Sequence, residues 1–333
     1  MQSSWNGKRV SYMKLNRFAS YAWGVLIFNL LVILWGAYVR ASGSGAGCGS
    51  HWPLCNGQVV PRGVPVETLV EFAHRVTSGL ALLSAVGLVV WAYRAYPRGH
   101  HVRLGASLTM FFMITEALVG AGLVLFGLTA QNDSVARAIS LAVHLINTFL
   151  LLGSMALTAW WASGGAPVRL RGQGAVAAVF VIGLLGTMIV GATGAVTALG
   201  DTLFPAGSLS EGMRQDFSPT AHFLIQLRIY HPSMAVLVGA YTIFAGAFAT
   251  SRRPGRTMRW FARALVALFV SQLAVGVVNV VLLAPIFMQL IHLLMADLVW
   301  LTMVLAAAAG LAVPANAPEA RAAAEPALRP SNP

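Results

Sequence analysis

Residues 71–93 read EFAHRVTSGLALLSAVGLVVWAY. A glutamate and a histidine, three positions apart, open a run that then stays apolar for roughly the 20 residues a helix needs to cross a bilayer. The rest of the chain has the same character. It has 333 residues, 57% of them hydrophobic and 10% charged, with a mean hydropathy of +0.73. That composition excludes an ordinary soluble domain and indicates an all-α polytopic membrane protein. The formal net charge of +12 raises nucleic acid as a partner. Basic residues of membrane proteins, however, gather in cytoplasmic loops, and a polyanion-binding surface needs a soluble basic face that is not visible. The expected surroundings are membrane lipid and no nucleic acid.

Eight apolar stretches are long enough to span, near 19–39, 72–93, 104–128, 138–161, 174–199, 226–249, 262–283 and 286–311. Lys8, Arg9, Lys14 and Arg17 precede the first in the manner of a signal peptide, but its apolar run is too long for a signal h-region. The GAGC at 45–48 matches a lipoprotein cleavage site only faintly, because the upstream leucine is missing. Arginines sit after spans two (Arg94, Arg98, Arg103), four (Arg169, Arg171) and six (Arg252, Arg253, Arg256, Arg259), whereas Asp133, Asp201, Glu211 and Asp216 lie in the opposite loops. The positive-inside rule then predicts a multi-pass plasma-membrane protein with both termini cytoplasmic and the loops 40–71 and 200–225 outside.

The chain also repeats itself. EFAHRVTSG (71–79) answers to RIYHPSMAV (228–236), LAVHLINTFLLL (141–152) to QLIHLLMADLVW (289–300), TEALVGAGLVL (115–125) to SQLAVGVVNVVL (271–282), and GAYVRASGSG (36–45) to GTMIVGATGAV (186–196). Four correspondences in one order predict two tandem, pseudo-symmetric four-helix bundles of like orientation. The expected divisions are a tail at 1–18, an N-terminal bundle at 19–165, a C-terminal bundle at 166–313 and a disordered, Ala- and Pro-rich tail at 314–333.

His74 and His144 fall in the first unit, and His231 and His292 in the second. Each lies one or two turns into a span that enters from outside, so all four imidazoles are expected near the outer face. A buried imidazole satisfied by a backbone carbonyl is the plain reading of any one of them. Four at matched positions point instead to function, since polar groups in a membrane are costly. Paired imidazoles across a bundle can be axial ligands of haem iron; zinc would require a further Cys or carboxylate ligand, which the second pair lacks.

The two units differ in one respect. Glu71, three before His74, corresponds to Arg228, three before His231. A guanidinium can hold a haem propionate. A carboxylate can move protons or stabilise developing positive charge. Its plainer role is an acid at a helix N-terminus, which suits Glu67 better. The only cysteines, Cys48 and Cys55 in CGSHWPLC, face outward and can form a disulfide. A redox or site-shaping role near Glu71 and simple bracing both remain open for them. Glu116 aligns with Gln272, and both are expected to pack within their bundles; Asp297 is expected at a helix–helix contact. His51, His100 and His101 fall in loops, and His222, at the outer mouth of span six, is a lesser candidate for the second site.

These motifs, CGSHWPLCNG, EFAHR, HLIN at 144–147, RIYHP at 228–232 and QLIHLL at 289–294, together resemble the haem A synthase family over nearly the whole chain to about residue 312. The resemblance implies an eight-span bacterial plasma-membrane oxidoreductase that converts the C8 methyl of haem O to the formyl of haem A by successive hydroxylations. It implies His231 and His292 as ligands of a resident bis-His haem b, His74 and His144 as the pair at the substrate haem O site, Glu71 as the functional carboxylate, and Cys48–Cys55 as the first-loop disulfide. It also implies a handover complex with haem O synthase; an electron donor or acceptor and a homo-oligomer are further expected partners, whose identity the sequence leaves open. Some members carry cysteines in the later outer loop, where this chain has LGDTLFPAGSLSEG. The rival reading is a dihaem b-type cytochrome carrying electrons from quinol. A tandem-repeat transporter fits less well, because the ionisable residues cluster near one face rather than along a midplane path.

Overall fold

A computed structural model describes residues 16–312; the expectations for both tails lie largely outside them. Among the described residues, eight helices are long and apolar enough to cross a membrane. They are α1 (Arg17–Ala41), α2 (Val66–Ala95), α3 (His101–Leu125), α4 (Val135–Ala162), α5 (Ala175–Leu203), a span formed by two segments, α9 (Arg256–Val281) and α10 (Ile286–Gly310). The two-segment span consists of α7 (Phe223–Arg228) and α8 (Tyr230–Arg252), and the short α6 (Leu209–Asp216) lies in the loop before it. No strand occurs among the described residues, only isolated bridges such as Cys55 with Gln58.

Local chemistry sets several boundaries. Asn16 caps α1, its side chain accepting from the Ala19 amide at 2.7 Å and donating to the Ala162 carbonyl at 3.1 Å. Ser134 caps α4 through the Arg137 amide. The break at Ile229 follows from Pro232, which has no N–H to return to the Arg228 carbonyl four residues back and crowds it sterically.

Helices α1–α4 pack as neighbours, and α5, α8, α9 and α10 form a second group; α4 and α1 meet α5 and α10 at the seam. There Phe149 stacks on Trp300 with ring centroids 5.0 Å apart, and the indole N–H donates to the Phe149 carbonyl at 2.6 Å. This contact joins a core cluster that runs through Val25, Leu30, Ala85, Leu152, Met155 and Val304. The outward faces of most spans remain apolar and exposed, as with Leu31, Leu83, Phe111 and Leu237, which suits helices that face lipid tails. Alternation of the spans brings the loops 42–65, 126–134, 204–222 and 282–285 to one end of the bundle, called here the disulfide end.

Candidate functional site

Each of the four histidines lies against a glycine on a neighbouring helix. A Cβ at Gly36 would stand 2.8 Å from His74 Cε1, one at Gly194 3.0 Å from His231 Cε1, one at Gly276 3.1 Å from His292 Cε1, and one at Gly120 4.0 Å from His144 Cε1. Three of the four imidazoles therefore occupy cradles that any larger residue would fill. The sequence register pairs Gly36 with Gly186. The packing instead gives Gly194 the corresponding role, while Gly186 meets Val238.

The ring nitrogens are poorly satisfied. Nδ1 of His74, His144 and His292 is buried with no hydrogen-bond partner, an arrangement a structural histidine would avoid. His231 Nδ1 is held by the Thr193 hydroxyl at 3.1 Å. The rings of His231 and His292 face each other with centroids 6.4 Å apart. That spacing leaves room for one metal ion on ring nitrogens, at about 2 Å per metal–nitrogen bond. Among the described residues no group of three or more His, Cys, Asp or Glu could hold a bare metal ion. The facing His231 and His292 rings suit a haem iron, whose porphyrin would supply the remaining ligands.

Glu71 lies a turn and a half into α2 and is 3% exposed. Its Oε1 accepts from Arg75 Nε at 3.1 Å and Nη2 at 2.5 Å; its Oε2 accepts from the Cys48 amide at 2.8 Å. Arg75 Nη1 also donates to the carbonyls of His51 (2.5 Å) and Leu54 (2.6 Å). Cys48 and Cys55 are disulfide-bonded. The loop they close is thereby fastened to the carboxylate one turn before His74, on the same helix face. A close backbone approach helps: a Cβ at Gly47 would lie 2.5 Å from the Glu67 carbonyl oxygen, and the Thr68 hydroxyl donates to the Gly47 carbonyl at 2.7 Å. Arg75 carries no role in the sequence reading, although its spacing of four from Glu71 is a standard ion-pair signal.

Arg228 is engaged differently. It lies 9% exposed at the end of α7, with Nε and Nη1 donating to Asp216 and Asp201 at 3.0 Å each and Nη2 2.8 Å from Asp216. Its charge is matched by two carboxylates from the 200–225 region. Glu116 and Gln272, expected as packing residues, each reach a histidine. Glu116 Oε1 accepts from the Thr148 hydroxyl at 2.6 Å and stands 3.6 Å from His144 Nδ1. Gln272 Nε2 lies 3.3 Å from His292 Nε2. Asp297 is fully buried, with neither carboxylate oxygen hydrogen-bonded. His222, at the N-terminus of α7, lies 3.5 Å from Asp133, on the loop before α4.

The fold and these histidines define a class: an eight-span membrane protein, counted over the described residues, with partly buried imidazoles of which His231 and His292 face each other at a separation suited to a haem iron. Residues 19–304 match the family model COX15-CtaA, described as cytochrome oxidase assembly protein. The chain belongs to that family, the heme A synthase family. It is 38% identical over 136 residues to a "Heme A synthase" of Lysinibacillus sphaericus (40% of this chain, 43% of the relative), and 38% identical over 128 residues to one of Shouchella clausii (38% and 40%). It is also 56% identical over 296 residues to a "Protoheme IX farnesyltransferase" of Thermus thermophilus, covering 89% of this chain and 49% of that protein. The chain thus spans about half the length of the curated relatives it matches.

Proposed function

We propose that this protein is a haem A synthase that oxidises the C8 methyl of haem O to a formyl group. The observation that carries the reading is the asymmetry between the histidine pairs. A buried carboxylate, clamped by Arg75 and by the amide of a disulfide loop, stands one turn from His74. The equivalent place before His231 holds an arginine matched by two acids.

In this reading His74 and His144 hold haem O as substrate, while His231 and His292 hold a resident haem b, which when bound supplies a one-electron relay. The reaction takes the methyl carbon through two hydroxylations to a geminal diol, which loses water to leave the formyl. Each hydroxylation adds one oxygen and withdraws two electrons from that carbon, so a redox partner outside the chain completes the balance. Glu71 is suited to stabilise positive charge or to accept a proton as the carbon is oxidised. Its three donors hold the carboxylate in one orientation, and burial strengthens its field. The Cys48–Cys55 loop then shapes the site by presenting the Cys48 amide to Glu71. Glu116, 3.6 Å from His144 Nδ1, places a carboxylate beside that ring.

The substrate's supplier is a prenyl-transferring enzyme, and the likeness to a relative named for protoheme IX farnesyltransfer supports direct handover between the two. The arginine distribution supports placing the disulfide end at the outer face of the plasma membrane.

The test is co-expression of the chain with a haem O synthase, followed by chromatography of the extracted haems. Haem A is expected only when this chain is present, with about one haem b retained per purified chain. Two equivalents of haem b per chain and no haem A would instead identify a dihaem electron carrier.

A further inference from the structure

Arg40 and Arg137 are the two arginines near the histidine pairs that form no ion pair among the described residues. Arg40 lies near the end of α1, one turn beyond Gly36, and its head crosses the seam. Its Nη1 donates to the Ala198 carbonyl and the Thr202 hydroxyl on α5, both at 2.8 Å, and Nη2 donates to Gln289 Oε1 on α10 at 2.9 Å. Ala198 is one turn past Gly194, the glycine that cradles His231, and Gln289 is one turn before His292. The guanidinium of the first helix group therefore stands over the imidazole pair of the second.

Arg137 lies on α4, two turns before His144, and is 3% exposed. Its Nη1 donates to the carbonyls of Ala130 (2.6 Å) and Asn132 (2.7 Å), and its buried Nε has no partner. The two guanidiniums are close enough to repel each other. The acid that also acts on Arg40 is Asp201, which already accepts from Arg228.

A guanidinium has five N–H donors, arranged so that one edge matches a carboxylate. Arg40 uses three bonds and leaves Nε–H and one Nη2 hydrogen. Arg137 uses only Nη1 and leaves the whole Nε/Nη2 edge. Two neighbouring cations with free forks, whose one nearby acid, Asp201, is already engaged by Arg228, are unfavourable unless an anion enters.

Building on the proposed function, we infer that Arg40 and Arg137 form a carboxylate-binding seat between the two helix groups, and that its ligands are porphyrin propionates. Arg40 serves the haem held by His231 and His292; Arg137 serves the haem held by His74 and His144. Arg228, with its charge already matched, organises the 200–225 loop instead. Propionates of both haems would then be drawn to the seam between the two sites.

The test uses the purified full-length chain in detergent, titrated with haem b and, separately, with haem b dimethyl ester, binding being read from the Soret band. Arg137→Gln is expected to weaken haem b binding about tenfold or more while leaving ester binding at the wild-type level. Arg40→Gln is expected to speed release of the co-purified haem to apomyoglobin about tenfold and to shift the propionate bending bands in its resonance Raman spectrum, with Arg40→Lys recovering only part. Equal losses for acid and ester would make these arginines structural struts and overturn the inference, as would no change in either variant. If the wild-type chain gives a bis-imidazole spectrum with neither porphyrin, the haem reading itself fails.

Discussion

Replacing Glu71 separates a chemical role from a structural one, because its carboxylate does two jobs. It accepts three hydrogen bonds, two from Arg75 and one from the Cys48 amide, with side-chain exposures of 5% for Glu71 and 12% for Arg75. Deleting one member of a buried ion pair costs about 3–5 kcal/mol. The lower end applies to Glu71→Ala, since Arg75 keeps the His51 and Leu54 carbonyls. A local loss of about 3 kcal/mol corresponds to roughly a hundredfold more frequent opening of the disulfide loop, measurable as faster hydrogen exchange at the Cys48 amide. Glu71→Gln keeps the shape and an acceptor but loses the charge, at about 1–2 kcal/mol. Arg75→Gln leaves the carboxylate in place while loosening the same loop. If Glu71 acts chemically, haem A formation falls at least about a hundredfold in both Glu71 variants, far more than in Arg75→Gln, and b-type absorbance persists in all three. Wild-type conversion by Glu71→Gln would refute the reasoning. So would equal losses in Glu71→Gln and Arg75→Gln, which would reduce Glu71 to a loop anchor.

His231→Ala and His292→Ala are each expected to remove most of the b-type absorbance of the purified protein, whereas His74→Ala retains it; the reverse pattern would exchange the roles of the two helix groups. Gly194→Val fills the cradle of His231, where a Cβ alone would come within 3.0 Å, and is expected to lower resident haem content while leaving the Cys48–Cys55 loop intact, checked by pyridine haemochrome and thiol titration. Cys48→Ser removes a link that contributes about 2–3 kcal/mol in the loop-entropy view. It is expected to reduce haem A yield without lowering haem b content, and an unchanged yield would show that the disulfide has no part in holding Glu71.

The sequence by itself determined the membrane class and the span count, because apolar runs of bilayer length leave the backbone no alternative to helices. It also singled out His74, His144, His231 and His292, and the contrast of Glu71 with Arg228, since imidazoles and charges stand out in so apolar a chain. Arg75 was legible too: a cation four residues after Glu71 shares its helix face. Only the tertiary structure could decide contacts between distant segments. It brought Arg40 across to Ala198, Thr202 and Gln289, and set Glu116 and Gln272 beside histidines. It also pressed Gly36 and Gly194, not Gly186, against imidazoles. The physical reason is that helical periodicity fixes which face a side chain occupies on its own helix. Which neighbour meets that face depends on how the helices rotate and slide as they pack, and that is settled by the shapes of all of them together.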